Sequence, residues 1–457
     1  MIFEFWHLSL EAMIFREILK YILKVFAKRV VSRYQPIVIG ITGSVGKTTA
    51  KEAIYAVLSC KFWVRKNEEN YNNEFGVPET ILGVDPGLST ANLRPRNWGR
   101  LFKFSWHFFP AVWLAWGWPK QKYPKFLVLE LAAAKPGDID YLVEVVKPWV
   151  GVVTAIGEMP VHVEFYASPE AVAEEKSKLI SALPADGLAV LNYDDQTVID
   201  MKEKTKAKVT TFGLTKDADI WASDIAYFAG DNGSDVGGLS FKLSNAGSFV
   251  PARINSLAGT HQIYSFLTAV AVGLHFGMNL VEISGAFERI ELPRHRMNLL
   301  RGIKNSVVID DSYNASPLSV HAALDALHDF AKARESLGTK GRRIAVLGDM
   351  RELGKYEIEA HRAIGNFAAE RCDALITVGA AGKFVADSAA NQMPKENVMS
   401  FGTSDDAKLK VQELIKEGDV VLIKGSRAMQ MEKIVEEITM FENNHPGVIS
   451  GEDSTKI

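Results

Sequence analysis

The chain has 457 residues, more than a single hydrophobic core organises, so two or three domains are expected. Its 52 Lys and Arg against 55 Asp and Glu leave a net charge of −3, which excludes a polyanion-binding bias and with it a nucleic-acid partner. Cys60 and Cys372 are the only cysteines, too few for a disulfide framework or a thiolate metal site, and fit a reducing cytoplasm.

Residues 1–28 begin Met-Ile-Phe-Glu-Phe-Trp, and Glu4, Glu11, Arg16 and Glu17 interrupt the apolar run without a small-residue cleavage site, so no secretory leader is expected. Ile14, Ile18, Tyr21, Ile22, Val25 and Phe26 are spaced for one amphipathic helix ending in Lys28-Arg29. Residues 1–35 are read as this element, which either docks on the protein or lies on a membrane surface.

The stretch Ile37-Val38-Ile39-Gly40-Ile41-Thr42-Gly43-Ser44-Val45-Gly46-Lys47-Thr48-Thr49 is a β-branched run, a glycine-rich turn and the start of a helix that continues through Leu58. This is the strand–loop–helix of a phosphate-binding loop. Glycines let the backbone approach an anion, amides at the helix start face it, Lys47 adds a charge, and Thr48 is placed to hold Mg²⁺. Thr42, Gly43, Ser44, Val45, Gly46, Lys47, Thr48 and Thr49 are therefore the expected nucleotide-binding residues. The strict pattern puts a Gly before Gly46-Lys47 with four residues between, where this chain has Ile41, and Gly40 falls one residue early.

Residues 67–78, with Asn67, Asn70, Asn72, Asn73, Gly76 and Pro78, read as an irregular loop whose amides either bind a ligand or cap turns. Residues 98–118 hold five of the nine tryptophans between Arg94, Arg96, Arg100 and Lys103 on one side and Lys120, Lys122 and Lys125 on the other. The apolar part is shorter than the roughly 20 residues of a spanning helix and contains Pro110. It reads as a headgroup-level segment or as a hairpin packed on the domain.

Strands are expected at 126–131, ending in Glu130, and at 150–156, followed by Gly157-Glu158-Met159-Pro160-Val161-His162. The carboxyl ends of parallel strands form the ligand crevice of an open α/β sheet, so Glu130 and His162 are candidate metal ligands there. Pro169–Leu183 reads as a helix carrying Lys176, 188–192 as a strand, 206–257 as β-rich and loop-rich, and Gly259-Thr260-His261-Gln262 as the opening of a helix through Leu274.

Leu292-Pro293-Arg294-His295-Arg296 marks a boundary. Strands at 306–309, 342–347, 374–378 and 419–423 then alternate with helices, which predicts a second, Rossmann-like α/β unit. The organisation expected is a helix at 1–35, an ATP-binding unit with a mostly parallel sheet at 36–295, a Rossmann-like unit at 296–442 and a disordered tail at 443–457.

With these residues placed, the chain resembles the Mur ligase family, ATP-dependent amide-forming enzymes of peptidoglycan precursor synthesis, and most resembles the branch that adds D-Ala-D-Ala to a muramoyl tripeptide. The resemblance spans roughly 37–440 and rests on Thr42–Thr49, Asp310-Asp311-Ser312-Tyr313-Asn314-Ala315, Gly348-Asp349-Met350-Arg351-Glu352-Leu353-Gly354 and Lys424-Gly425-Ser426-Arg427. It implies phosphorylation of a carboxylate by ATP and displacement of phosphate by an amine. Lys47 would stabilise the transferring phosphoryl group, with Mg²⁺ on Thr48 and a second metal on Glu130 and His162. Lys176 matches a lysine that is carbamylated in the family. Asn70, Asn72 and Asn314 match substrate positions, Gln262, Arg296 and Asp311 nucleotide positions, and Lys424 and Arg427 residues that face the reacting groups once the domains close. A cytoplasmic monomer completes the expectation, with residues 1–28 and 98–118 as the two segments that either pack on the protein or make peripheral membrane contact.

The chain departs from the family pattern in Glu130-Leu131-Ala132-Ala133-Ala134, where the Gly after the glutamate is missing, and in a longer His162 loop. It has His261-Gln262-Ile263-Tyr264-Ser265 in place of an adenine-binding His-Asn-x-x-Asn, and only 36 residues before the first strand, too few for the family's uridine-binding domain. The last point leaves a lipid-linked acceptor open beside a UDP-linked one. A folylpolyglutamate or cyanophycin type of ligase, a non-catalytic nucleotide-binding protein and a transport ATPase are the other readings.

Overall fold

The computed structural model describes residues 2–68, 71–84, 110–160, 162–228 and 237–440. Asn70, residues 98–109 and the tail from 443 lie outside the described residues. The fold is α/β, built on two mostly parallel sheets.

The first sheet has nine strands: β1 (Ile37–Thr42), β2 (Val64–Lys66), β3 (Phe126–Glu130), β4 (Val150–Val153), β5 (Leu188–Asn192), β6 (Lys208–Gly213), β7 (Ile220–Phe228), β8 (Gly238–Asn245) and β9 (Ser248–Asn255). Their order is β2-β3-β1-β4-β5-β6-β7-β8-β9, parallel as far as β7 and antiparallel from β7 to β9. The β-rich stretch expected at 206–257 is this antiparallel extension. β1 is flanked by β3 and β4 and packed on both faces, which is why its sequence is continuously apolar rather than alternating.

The second sheet comprises β10 (Asn298–Arg301), β11 (Val307–Asp311), β12 (Arg343–Gly348), β13 (Ala374–Val378), β14 (Val398–Phe401) and β15 (Val420–Lys424), in the order β10-β11-β15-β12-β13-β14. Only β10 runs antiparallel, against β11. β11 and β15 are neighbours in a register that sets Asp311 opposite Lys424, two residues 113 apart in sequence.

Six helices matter for the first unit: α1 (Ile2–Tyr34), α2 (Lys47–Ser59), α3 (Gly76–Leu82), α4 (through residues 110–116), α5 (Asp138–Val146) and α6 (Pro169–Ser181). α1 continues past Lys28-Arg29 to Tyr34. It docks with Leu19, Leu23, Ala27, Val30 and Val31, which are buried with Phe75, Val77 and Ile81 around α3, Leu142 of α5 and Leu114 of α4. Of the six residues whose spacing predicts the helix, Ile14, Ile18, Tyr21 and Val25 are exposed, while Ile22 and Phe26 are half-buried. The helix is apolar on two opposite faces, so one stripe serves the core and the other is left over. No helix among the described residues is long and apolar enough to cross a membrane.

Candidate functional site

β1 delivers the chain into residues 43–46, and the left-handed backbone of Gly46, φ +81°, turns it into α2. Gly43, φ +144°, has no room for a side chain: a Cβ there would lie 2.1 Å from Thr154 Oγ1. Ser44 N donates to Ala155 O at 2.6 Å and Thr154 Oγ1 to Val45 O at 2.5 Å, so the end of β4 pins the loop. Gly40 belongs to the strand interior. A Cβ on it would lie 2.9 Å from Leu179 Cδ1, which explains a glycine one residue ahead of the phosphate-loop pattern as helix–sheet packing.

Lys47 Nζ donates to the loop's own carbonyls, Gly43 O at 2.9 Å and Ser44 O at 3.1 Å. Burial lowers its pKa, the Glu130 carboxylate opposes that shift, and Arg296 adds to it. Thr48 Oγ1 donates to Glu130 Oε2 at 2.9 Å and Asn72 Nδ2 to Glu130 Oε1 at 3.0 Å. Burial works against the Glu130 charge, but Lys47, Lys51, Arg296 and the Asn72 hydrogen bond together hold its carboxyl below the usual range, so it is ionised. Lys176, fully buried on α6, has its pKa lowered to about 7 by burial and then by the charge of Lys47. A lysine at that value presents a neutral amine for a large share of the time at neutral pH.

The second unit reaches into the same place. Arg296 Nη2 donates to Thr48 Oγ1 at 3.3 Å, and its guanidinium lies 4.0 Å from the centroid of the Tyr313 ring. Lys424 Nζ donates to Asp311 Oδ2 at 2.6 Å and to Asn314 O at 2.9 Å. Burial pushes the Lys424 pKa down and the Asp311 pKa up, and their mutual contact opposes both shifts. Gln262 stands beside His261, whose pKa burial drops to about 4, and Ser265 Oγ donates to Gly46 O at 3.2 Å, tying this helix start to the loop.

Two predicted residues go elsewhere. His162, left-handed at φ +66°, meets the Glu352 carboxylate of the second unit through Nδ1 rather than joining Glu130. Glu352 lies in the segment after β12. Arg427 pairs with Glu432 at 3.2 Å on the surface and only flanks Tyr313, at 5.8 Å. The strings 348–354 and 424–427 are nonetheless stitched together, Ser426 N donating to Asp349 O at 3.1 Å and Arg351 N to Ser426 Oγ at 2.9 Å.

Asn67 and Lys51 are the residues whose contribution sequence reasoning missed. Asn67 brackets the Glu130 backbone, accepting from Glu130 N at 2.9 Å and donating to Glu130 O at 3.2 Å and Tyr71 O at 2.9 Å. Lys51 Nζ donates to Asn67 O at 2.6 Å from a fully buried position. The available signal was a lysine four residues after Lys47, hence one turn further along the same helix.

The residues fit a nucleotide phosphate and a divalent cation. The loop is too tight for side chains at its glycines, and Ser44 Oγ, Gln262 Oε1 and Arg296 Nε are buried polar atoms without a hydrogen-bond partner. The Thr48 hydroxyl and the Glu130 carboxylate are hard oxygen donors of the kind Mg²⁺ takes. Among the described residues no three His, Cys, Asp or Glu converge as a complete metal cage.

The Mur ligase middle domain matches residues 41–91 and 119–273, and the Mur ligase glutamate ligase domain matches 295–427. A UDP-N-acetylmuramoyl-tripeptide–D-alanyl-D-alanine ligase of Mycobacterium leprae is 30% identical over 417 residues, 86% of this chain and 71% of that protein. The chain belongs to the Mur ligase family. Among solved Mur ligases, MurF from Acinetobacter baumannii superposes with a TM-score of 0.72 at 25% identity, covering 92% of this chain and 80% of its own. MurF from Thermotoga maritima, solved in complex with ADP, shares the fold with a TM-score of 0.70 at 23% identity, over 92% of this chain and 83% of its own. Like its relatives, this Mur ligase is an ATP-dependent carbon–nitrogen ligase.

Proposed function

We propose that the chain joins D-Ala-D-Ala to the free carboxylate of a UDP-linked muramoyl tripeptide in the cytoplasm, using ATP and Mg²⁺, with residues 36–295 binding the nucleotide and 296–442 presenting the groups that meet the amine. The observation that carries this reading is the convergence of Lys47, Thr48 and Glu130 of the first unit and Arg296 of the second on one phosphate loop. Thr48 and Glu130 would hold Mg²⁺, which would neutralise phosphate charge. Lys47, released from the carbonyls of Gly43 and Ser44, follows the transferring group, and Arg296 adds a cation from the other unit. The carboxylate of the peptide attacks the γ-phosphorus of ATP and ADP leaves, giving an acyl phosphate; the amine then adds to its carbonyl carbon, gives up a proton to solvent, and phosphate leaves as the amide forms. Asn72 orients Glu130, while Lys424 and Asn314 line the approach of the peptide and amine.

Lys176 would serve as a carbamate: its neutral amine adds to CO₂ and loses a proton, turning a buried cation into a carboxylate-like ligand near Glu130. The low pKa supplies the neutral amine that step requires.

The test is phosphate release by the purified protein with ATP, D-Ala-D-Ala and the UDP-muramoyl tripeptide, with product mass read in parallel. The reading requires phosphate release that depends on the dipeptide and matches the new amide one for one. ATP hydrolysis indifferent to the amine would assign the site to another task.

A further inference from the structure

We propose that the outward face of α1, together with α4 and the segment after it, docks on an anionic lipid bilayer. Ile14, Ile18, Tyr21 and Val25 recur at helical spacing on the side of α1 opposite its buried stripe, and each is at least 38% exposed. Phe26 packs edge-to-face on Trp116 with ring centroids 4.7 Å apart, and Arg33 ties the two elements by donating to Ala115 O at 2.9 Å and Gly117 O at 2.5 Å. α4 buries Ala111, Leu114 and Ala115 and leaves Val112, Trp113 and Trp116 at the surface, with Trp118, 84% exposed, just beyond. A soluble surface has no use for this concentration of aliphatic and indole side chains; indole rings favour the headgroup level of a bilayer.

Charge selects the lipid. The chain as a whole is net −3, yet residues 14–34 hold six cations against Glu17 alone, and residues 110–125 hold three lysines and no acid. Arg29 and Lys122 are exposed at the rim, and Lys120 lies over the Tyr34 ring at 4.9 Å, beside a cleft of about 390 Å³ where α1 ends. Lys24 and Lys28 share Glu144, so part of the charge is spent within the protein, but the surplus is positive around an apolar centre. Apolar insertion plus attraction to phosphate groups is the combination that holds peripheral proteins on anionic membranes. The helix also leans on the site's own loop, since Arg16 pairs with Glu74 at 3.1 Å, two residues after Asn72. This inference stands independently of the substrate assignment.

The experiment is sedimentation of the full chain with vesicles of phosphatidylcholine containing phosphatidylglycerol, and with phosphatidylcholine alone. The protein is expected to pellet with the anionic vesicles, less as salt rises, and much less with the neutral ones. Ile18→Ser/Tyr21→Ser/Val25→Ser should weaken binding by at least about tenfold while ATP turnover in solution persists. Arg29→Gln/Lys122→Gln, confined to the surface, should weaken binding to anionic vesicles alone and stands in if the first variant does not fold. Equal binding to both lipids, no binding to either, or a stripe variant that instead converts a dimer to a monomer would overturn the proposal, the last by assigning the face to a second copy of the chain.

Discussion

Thr48 and Glu130, 82 residues apart, meet through a 2.9 Å hydrogen bond that joins the first turn of α2 to the end of β3. The pair places a hydroxyl and an ionised carboxylate side by side at the mouth of the phosphate loop. Removing the carboxylate charge while keeping its shape should therefore act on the metal. Glu130→Gln is expected to raise the Mg²⁺ concentration for half-maximal activity by about 10–100-fold, read from a Mg²⁺ titration of ATP turnover. An unchanged titration would remove Glu130 from the metal site.

Lys47 is already partly disfavoured as a cation by burial, so its removal should cost chemistry more than folding. Lys47→Ala is expected to lower kcat about 10²–10³-fold, with little change in thermal midpoint. Steady-state kinetics and a melting curve on the same sample separate the two effects.

Lys176 titrates at about 7, so its neutral fraction grows as pH rises through neutrality. Depleting CO₂ should depress activity, and bicarbonate should restore it more fully at pH 8 than at pH 6 (roughly one unit either side of the pKa). Lys176→Arg, a permanent cation, should be insensitive to bicarbonate and at least about 10²-fold slower. Activity indifferent to CO₂, with no carbamate mass on the native protein, would reject the modification.

His261 holds a pKa of about 4 in the fold against 6.5 unfolded. Between those values the unfolded chain binds a proton that the native state refuses, so stability falls as pH drops from 6.5 towards 4 and levels below it. The loss attributable to this ring is about 2–3 kcal/mol, since it is not wholly covered. Denaturant midpoints of the native chain and His261→Gln should draw together at acid pH by that amount.

Asn67 makes three hydrogen bonds that fix the backbone of Glu130 and the loop after it. Asn67→Leu strands buried N–H and C=O groups and should destabilise the protein by about 2–4 kcal/mol, measured by chemical denaturation. A loss under about 0.5 kcal/mol would mean that the loop satisfies these groups by itself.

What the sequence determined by itself was local or periodic. The run from Ile37 to Thr49 specifies strand, turn and helix through residues adjacent in the chain, and alternating strands and helices after Arg296 announce the second sheet. Contacts between distant segments were decided by tertiary structure. The placement of Asp311 opposite Lys424 follows from which strand lies beside β11, and parallel neighbours are joined by long crossovers that leave no mark at either residue. The pairing of His162 with Glu352 depends on how its loop is aimed at the other unit, and spacing alone cannot set that aim. For α1 the sequence pointed to the stripe of Ile14, Ile18, Tyr21, Ile22, Val25 and Phe26; only packing on α3, α4 and α5 decided that Leu19 and Leu23 go inside while Ile18 and Tyr21 stay out, because the helix is apolar on the opposite face as well.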